Sequence, residues 1–371
     1  MAHWPGSTMS RGPVSERRGP RLSAMAVAFV LASAPALAQQ SPFAPTPKAE
    51  PGYVRLLAFA DYFDADALAE FERVSGKEIA YDAYDSLASI PEKMREAPYD
   101  LVVLPGPALR EAIAAGALQK IDRARLGNFN SVSPRIVAKL ASYDPSGAYG
   151  LPYMWFATGL LADAEKAKAR LGAAPLSWGA IFSPDLQRRF ADCGLATPDD
   201  RDNLFMAAFR FLGANPQRLT ALDIHRAGDL LLRVKAGARA FLAPDEVGAL
   251  ANGSVCLGIG RESDAKLAME RAKQEGLDLS VRFAVPKEGG PMSLDALAIP
   301  KQAPHAADAY ALLDFLLRPD IAARNAKATG ASSGDQASDE DLLKRLFPSG
   351  ALDATQAALV EKEWARVKGA K

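Results

Sequence analysis

The sequence is poor in the residues that most often carry covalent or metal chemistry. Of 371 residues, 2 are cysteine and 3 are histidine. Cys193 and Cys256 form no C-x-x-C pair, and past the N-terminal segment only His225 and His305 remain, so a metal site is poorly supported. Charge of one sign is lacking too, because 44 basic residues balance 44 acidic ones. Without a basic stripe there is no general pull toward nucleic acid or anionic lipid. No apolar run approaches the roughly 20 residues that a membrane-spanning helix needs. Internal repeats and long low-complexity tracts are absent, which argues against a solenoid and against disorder as the main theme. No acid, base and nucleophile stand together at plausible positions, so neither enzymatic activity nor a cofactor is expected.

The N-terminus does carry a signal. Arg17, Arg18 and Arg21 precede an apolar stretch from Ala24 to Leu31, and Ala36 and Ala38 form an A-x-A site. This reads as a secretory leader over 1–38, cleaved after Ala38, with the product released to the periplasm. A disordered tail, or a mis-called start codon with Met9 as the true start, is the alternative. Removing 1–38 takes away four arginines against one glutamate and leaves a body of net charge about −3. Export would place Cys193 and Cys256 in an oxidising compartment. A bridge there would close a loop of about 60 residues and contribute roughly 4 kcal/mol; two buried free thiols are the other possibility.

The length predicts two or three domain-sized units. Pro42, Pro45, Pro47 and Pro51 mark 39–52 as a linker. From Tyr53 onward, strands Val54–Phe59, Glu78–Tyr84 and Tyr99–Leu104 alternate with helical segments. The first of those helices starts at Asp64 and stops at Gly76. The pattern resumes with strands Val255–Gly260 and Leu279–Val285 around a helix from Ala265 to Gln274, then an apolar helix Ala306–Leu317 ended by Arg318-Pro319-Asp320. Such alternation implies an α/β chain with a largely parallel sheet. Ligands of open α/β sheets bind at the carboxyl ends of strands, so the loops after Leu57, Tyr84, Leu104, Gly260 and Val285 are where a site is expected. Gly330 to Ser338 is expected to be a crossing or surface loop.

Motifs at those loops are more specific in combination. Phe59-Ala60-Asp61-Tyr62 follows the first strand and Tyr81-Asp82-Ala83-Tyr84-Asp85-Ser86 ends the second. Leu151-Pro152-Tyr153-Met154-Trp155 with Thr158-Gly159 comes next, then Leu250-Ala251-Asn252-Gly253 with Gly258-Ile259-Gly260 and Asp264. Pro286-Lys287-Glu288-Gly289 with Asp295, and Leu316-Leu317-Arg318-Pro319-Asp320, complete the series. In this order they resemble the periplasmic putrescine- and spermidine-binding proteins of ABC importers, from Tyr53 to the C-terminus. The resemblance implies a two-lobed type II periplasmic-binding-protein fold, each lobe a mostly parallel sheet flanked by helices. It implies lobes of 53–155 with 284–330 and 156–283 with 331–371, and a ligand in the cleft between them. It also implies a bridged Cys193–Cys256 pair, a small-molecule amine as ligand, an inner-membrane ABC permease as partner, and a monomer.

In that family carboxylates meet the ammonium ends of a linear amine while aromatic faces cover its methylenes. The matching positions are Asp61, Asp264 and Asp295, with Phe59 and Tyr62 as the aromatics and Ser86 as a hydroxyl. Asp264 also suits the first turn of a helix beginning near Ser263. Asp295 sits between the apolar Leu294 and Ala296, an awkward place for an acid without a partner. Departures are equally informative: Arg261 and Ser293 replace aromatics, Asn203 replaces an acid, and a late tyrosine has no counterpart in Gly330 to Gly334. Arg261 either enters the cleft, where its fork could pair with Asp264 and favour an amino-acid-like amine over a diamine, or swings out to solvent. Gly330-Ala331-Ser332-Ser333-Gly334 spells G-x-S-x-G without the strand that a nucleophile elbow needs. A periplasmic sensor feeding a chemoreceptor or sensor kinase is the competing function.

Overall fold

The computed structural model describes residues 52–172, 176–333 and 340–370. The expected leader 1–38, and all but the last residue of the linker 39–52, lie outside them. In β1 (Tyr53–Phe59), Val54, Leu56, Leu57 and Ala58 are fully buried, a near-continuous apolar run, broken by Arg55, of the kind that a strand covered on both faces requires. β2 (Glu78–Tyr84) and β3 (Leu101–Pro105) flank it in parallel. The helix Ala65–Ser75 between β1 and β2 begins and ends where the sequence predicts. The Asp64 carboxylate accepts the Ala67 N–H at 2.8 Å, and Gly76 is left-handed at φ 69°. β4 (Gly150–Ala157) completes this part of the first lobe, and the chain leaves it at Thr158.

The second lobe holds β5 (Gly159–Asp163), β6 (Ala196–Pro198), β7 (Ala240–Ala243), β8 (Leu257–Gly260) and β9 (Val281–Ala284). β5 lies antiparallel between β8 and β9, β6 pairs with β7, and a bridge from Leu195 to Leu257 ties the two small sheets together. Trp178, Phe205 and Phe209 fill its core, and the C-terminal helix Ala354–Gly369 adds Val360, Trp364 and Val367. Cys193 and Cys256 are joined as a disulfide, with Cα atoms 5.5 Å apart.

The chain returns to the first lobe through β10 (Gly290–Ala298), which inserts antiparallel between β3 and β4. β11 (Ser332–Ser333) adds to the outer side of β4, and β12 (Leu346–Pro348) pairs with β10. The resulting order is β11-β4-β10-β3-β1-β2. Two particulars differ from the sequence reading. Strand directions are mixed, because β10 runs against β3 and β4 and β5 runs against β8 and β9. The last crossing also comes later than 331: Leu343 and Leu346 pack in the first lobe's core, and the chain joins the second lobe's core only at Leu352. A Gly- and Ser-rich stretch looks like a crossing, yet residues 332 and 333 are spent on a short edge strand.

Where the chain crosses between lobes, backbone packs on backbone. A Cβ on Gly159 would collide with the Ala284 carbonyl, and one on Gly290 with the Thr158 carbonyl. Residues 285–289 are held from both sides. Trp178 donates its indole N–H to the Gly289 carbonyl at 2.7 Å, Arg210 donates to Glu288 O at 3.0 Å, and Arg345 donates to Pro286 O at 3.1 Å.

Candidate functional site

A cleft of 560 Å³ lies between the lobes at the ends of β1, β2, β3 and β8, a volume typical of small-molecule sites. Its first-lobe wall begins where β1 ends. The Phe59 ring packs on Tyr84 at 4.5 Å and on Tyr62 at 5.9 Å between centroids. Tyr81 donates its hydroxyl to the Phe59 carbonyl and Tyr84 donates to Val103 O at 2.8 Å, so this wall is fixed by its own hydrogen bonds. Between Phe59 and Tyr62 the chain turns through Asp61 in the left-handed region, φ 53°, where aspartate is among the few tolerated side chains.

Asp295 reaches the cleft from the middle of β10. The register against β4 shifts between Leu294 and Ala296, where Tyr153 and Met154 of β4 stand opposite Asp295 alone, while on its other side Asp295 faces Pro105 of β3. Such an irregularity bends the bulged strand, here β4, and breaks the ladder locally at Asp295. The carboxylate is 4% exposed and accepts the Tyr62 hydroxyl at 2.9 Å. Burial pushes its pKa up to about 6, against the opposing effects of the Tyr62 hydrogen bond and the Arg261 charge. Tyr62 is itself raised well above the phenol range, first by burial and then by Asp295.

The second-lobe wall is set by two helix starts. Asp200 caps the helix Arg201–Phe211, accepting Asn203 N at 3.0 Å and Asn203 Nδ2 at 2.5 Å. Burial raises the Asp200 pKa. Asn203 in turn accepts the Ser349 hydroxyl at 2.8 Å, and Tyr143 donates to the Ser349 carbonyl. A Cβ on the neighbouring Gly106 would strike the Tyr143 ring, which leaves glycine the residue that fits there. Arg261 follows β8, and its guanidinium carbon stands 4.3 Å from the centre of the Phe156 ring.

Of the residues singled out by sequence, the cleft wall brings together Phe59, Asp61, Tyr62, Ser86, Arg261 and Asp295. Asp264 is not among them. Its carboxylate turns back to accept the Arg261 backbone N–H at 2.6 Å, which starts the helix Glu262–Gln274. The loop after Val285 is likewise part of a crossing and not of the wall. Phe156, Tyr143, Asp200 and Asp202 line the cleft without having been expected there. Asp199-Asp200-Arg201-Asp202 ahead of Leu204 is a helix-start signature, but that pattern says nothing about facing a ligand. Among the described residues no group of three His, Cys, Asp or Glu side chains could hold a metal ion, and no helix is long and apolar enough to cross a membrane.

Residues 58–341 match the bacterial extracellular solute-binding protein family. The putrescine-binding periplasmic protein PotF of Escherichia coli (strain K12) is 33% identical over 280 residues, 74% of this chain and 76% of that protein. A putrescine/agmatine-binding protein of Pseudomonas aeruginosa is 30% identical over 335 residues, 85% of this chain and 91% of that one. In three dimensions the chain is similar to a spermidine/putrescine ABC transporter substrate-binding protein of Streptococcus pneumoniae, with a TM-score of 0.73 at 18% identity, covering 85% of this chain and 98% of that one. A Treponema pallidum lipoprotein gives a TM-score of 0.71 at 21% identity, over 85% and 99% of the two chains.

Proposed function

The chain belongs to the bacterial extracellular solute-binding proteins, and from that membership we propose that it captures a small organic amine in the cleft and hands it to an ABC importer. The observation that carries the amine is Asp295. A carboxylate 4% exposed, with Tyr62 as its one hydrogen-bond donor among the described residues, keeps free acceptor capacity aimed at a cleft. An ammonium ion supplies both the charge and the donors that such a group lacks. Phe59 and Tyr62 offer the apolar faces that a methylene chain needs, and Asp61, Asp85, Asp200 and Asp202 give the walls an acidic surplus over Arg261. Relatives named for putrescine binding fit the same chemistry.

Delivery to a permease in the inner membrane follows from the same membership, as does export. Cleavage after Ala38 would leave Gln39 as the first residue of a monomeric periplasmic protein, which the intact mass of periplasmic material reads directly. The amine is tested by calorimetry of the purified protein against diamines, amino acids and sugars. A charge-assisted contact contributes about 1.5–3 kcal/mol, so Asp295→Asn should weaken amine binding roughly tenfold or more. An unchanged isotherm would remove Asp295 from the site.

A further inference from the structure

The amine site contains a cation of its own. Arg261 lines the cleft together with Asp295 and Asp200, its charge opposes the upward pKa shift of both, and its guanidinium is stacked on Phe156. Stacking leaves the edges of the fork, where its N–H groups point, directed away from the ring. Asp264 takes only the Arg261 backbone N–H and leaves the fork alone. Among the described residues the guanidinium has no ion pair and no hydrogen bond.

The neighbouring acids are accounted for differently. Asp202 is paired with Arg201 at 2.7 Å. Asp200 is occupied by two donors of Asn203. Asp61 and Asp85 are exposed at the rim, and Asp85 is within 3.4 Å of the Ser89 hydroxyl. That leaves two charges on the cleft wall with hydrogen-bonding capacity to spare, a buried Asp295 and a half-buried Arg261, and they have opposite signs. Asp295 suits an ammonium. A planar fork of donors suits a carboxylate, and it repels a second ammonium.

Resting on the amine reading above, we infer that the cleft is specific for a zwitterion: a linear ω-amino acid, or an amine built like one. Its ammonium meets Asp295 and Tyr62, and its carboxylate meets the Arg261 fork over Phe156. A diamine of the same length leaves the fork without a partner and sets two cations together.

The test is calorimetry of the purified protein with 4-aminobutanoate, 5-aminopentanoate and 6-aminohexanoate, each against the diamine of matching chain length. The best amino acid should bind roughly tenfold or more tighter than its diamine. Arg261→Gln should reverse that order, and Arg261→Lys, which keeps the charge and loses the fork, should fall between. Melting curves of the unliganded variants confirm folding, and the lysine variant carries the comparison if the glutamine one unfolds. Diamine binding that ignores Arg261 substitutions but is lost in Asp295→Asn overturns the zwitterion and leaves the amine site standing. Binding of neither class, or binding of both untouched by Asp295→Asn, overturns the two together.

Discussion

Burial gives Asp295 opposite effects on the empty and the loaded protein. Its pKa rises from the ordinary 3.8 to about 6 because the ionised form has lost its water. Between those values the folded protein holds a proton that the unfolded chain has released, so the stability of the empty protein falls as pH rises through that window. Binding runs the other way. An ammonium needs the carboxylate, so affinity should drop about tenfold per pH unit below about 6. Asp295→Asn should therefore raise the melting temperature of the empty protein near neutral pH while it removes binding. Melts and isotherms collected from pH 4 to 7 read both effects, and a variant that loses stability along with affinity would mark Asp295 as structural. The residue was legible in the sequence because an acid between Leu294 and Ala296 has no apolar reason to be there. The register shift opposite it was not legible, since it arises from the pairing of Leu294 and Ala296 with Trp155 and Pro152 of a distant strand.

At the scale of elements, Asp264 shows how one spacing serves two purposes. An acid three residues after Arg261 can face a ligand or close the first turn of a helix, and here it does the second at 2.6 Å. Asp264→Ala should cost about 0.5–2 kcal/mol, the usual loss for a helix-start contact, while amine affinity stays within about twofold. Chemical denaturation alongside calorimetry separates the two, and a large loss of affinity without loss of stability would return Asp264 to the cleft. Phe156 was hidden for a related reason. It closes an apolar run that reads as core, and its place on the wall comes from lying opposite Ser293 of β10. Helices with local caps, such as Ala65–Ser75, were legible almost to the residue because their signals are contained in a few neighbouring side chains.

At the scale of the whole molecule, the disulfide belongs to one lobe. Cys193 and Cys256 tie the approach to β6 to the approach to β8, both in the second lobe. Replacing both with serine should withdraw roughly 4 kcal/mol of loop constraint from that lobe. Scanning calorimetry should then resolve an earlier transition for the second lobe ahead of an unshifted one for the first. A single peak moved as a whole would mean that the lobes unfold together. Alternation along the chain revealed α/β architecture, but the interleaving of the lobes depends on pairings across the entire second lobe, which no local pattern carries.

The position of β10 also sets a schedule. The neighbours of β4 are β10 and β11, both on the far side of the second lobe. In a chain that appears N-terminus first, β4 waits unpaired and β3 is bare along one edge. The first sheet cannot close until β10 is available through Ala298, and the second lobe waits longer still, for Val360, Trp364 and Val367. Strand order thus ties closure of both lobes to late segments of the chain, and the last helix to arrive is the one that ends the wait.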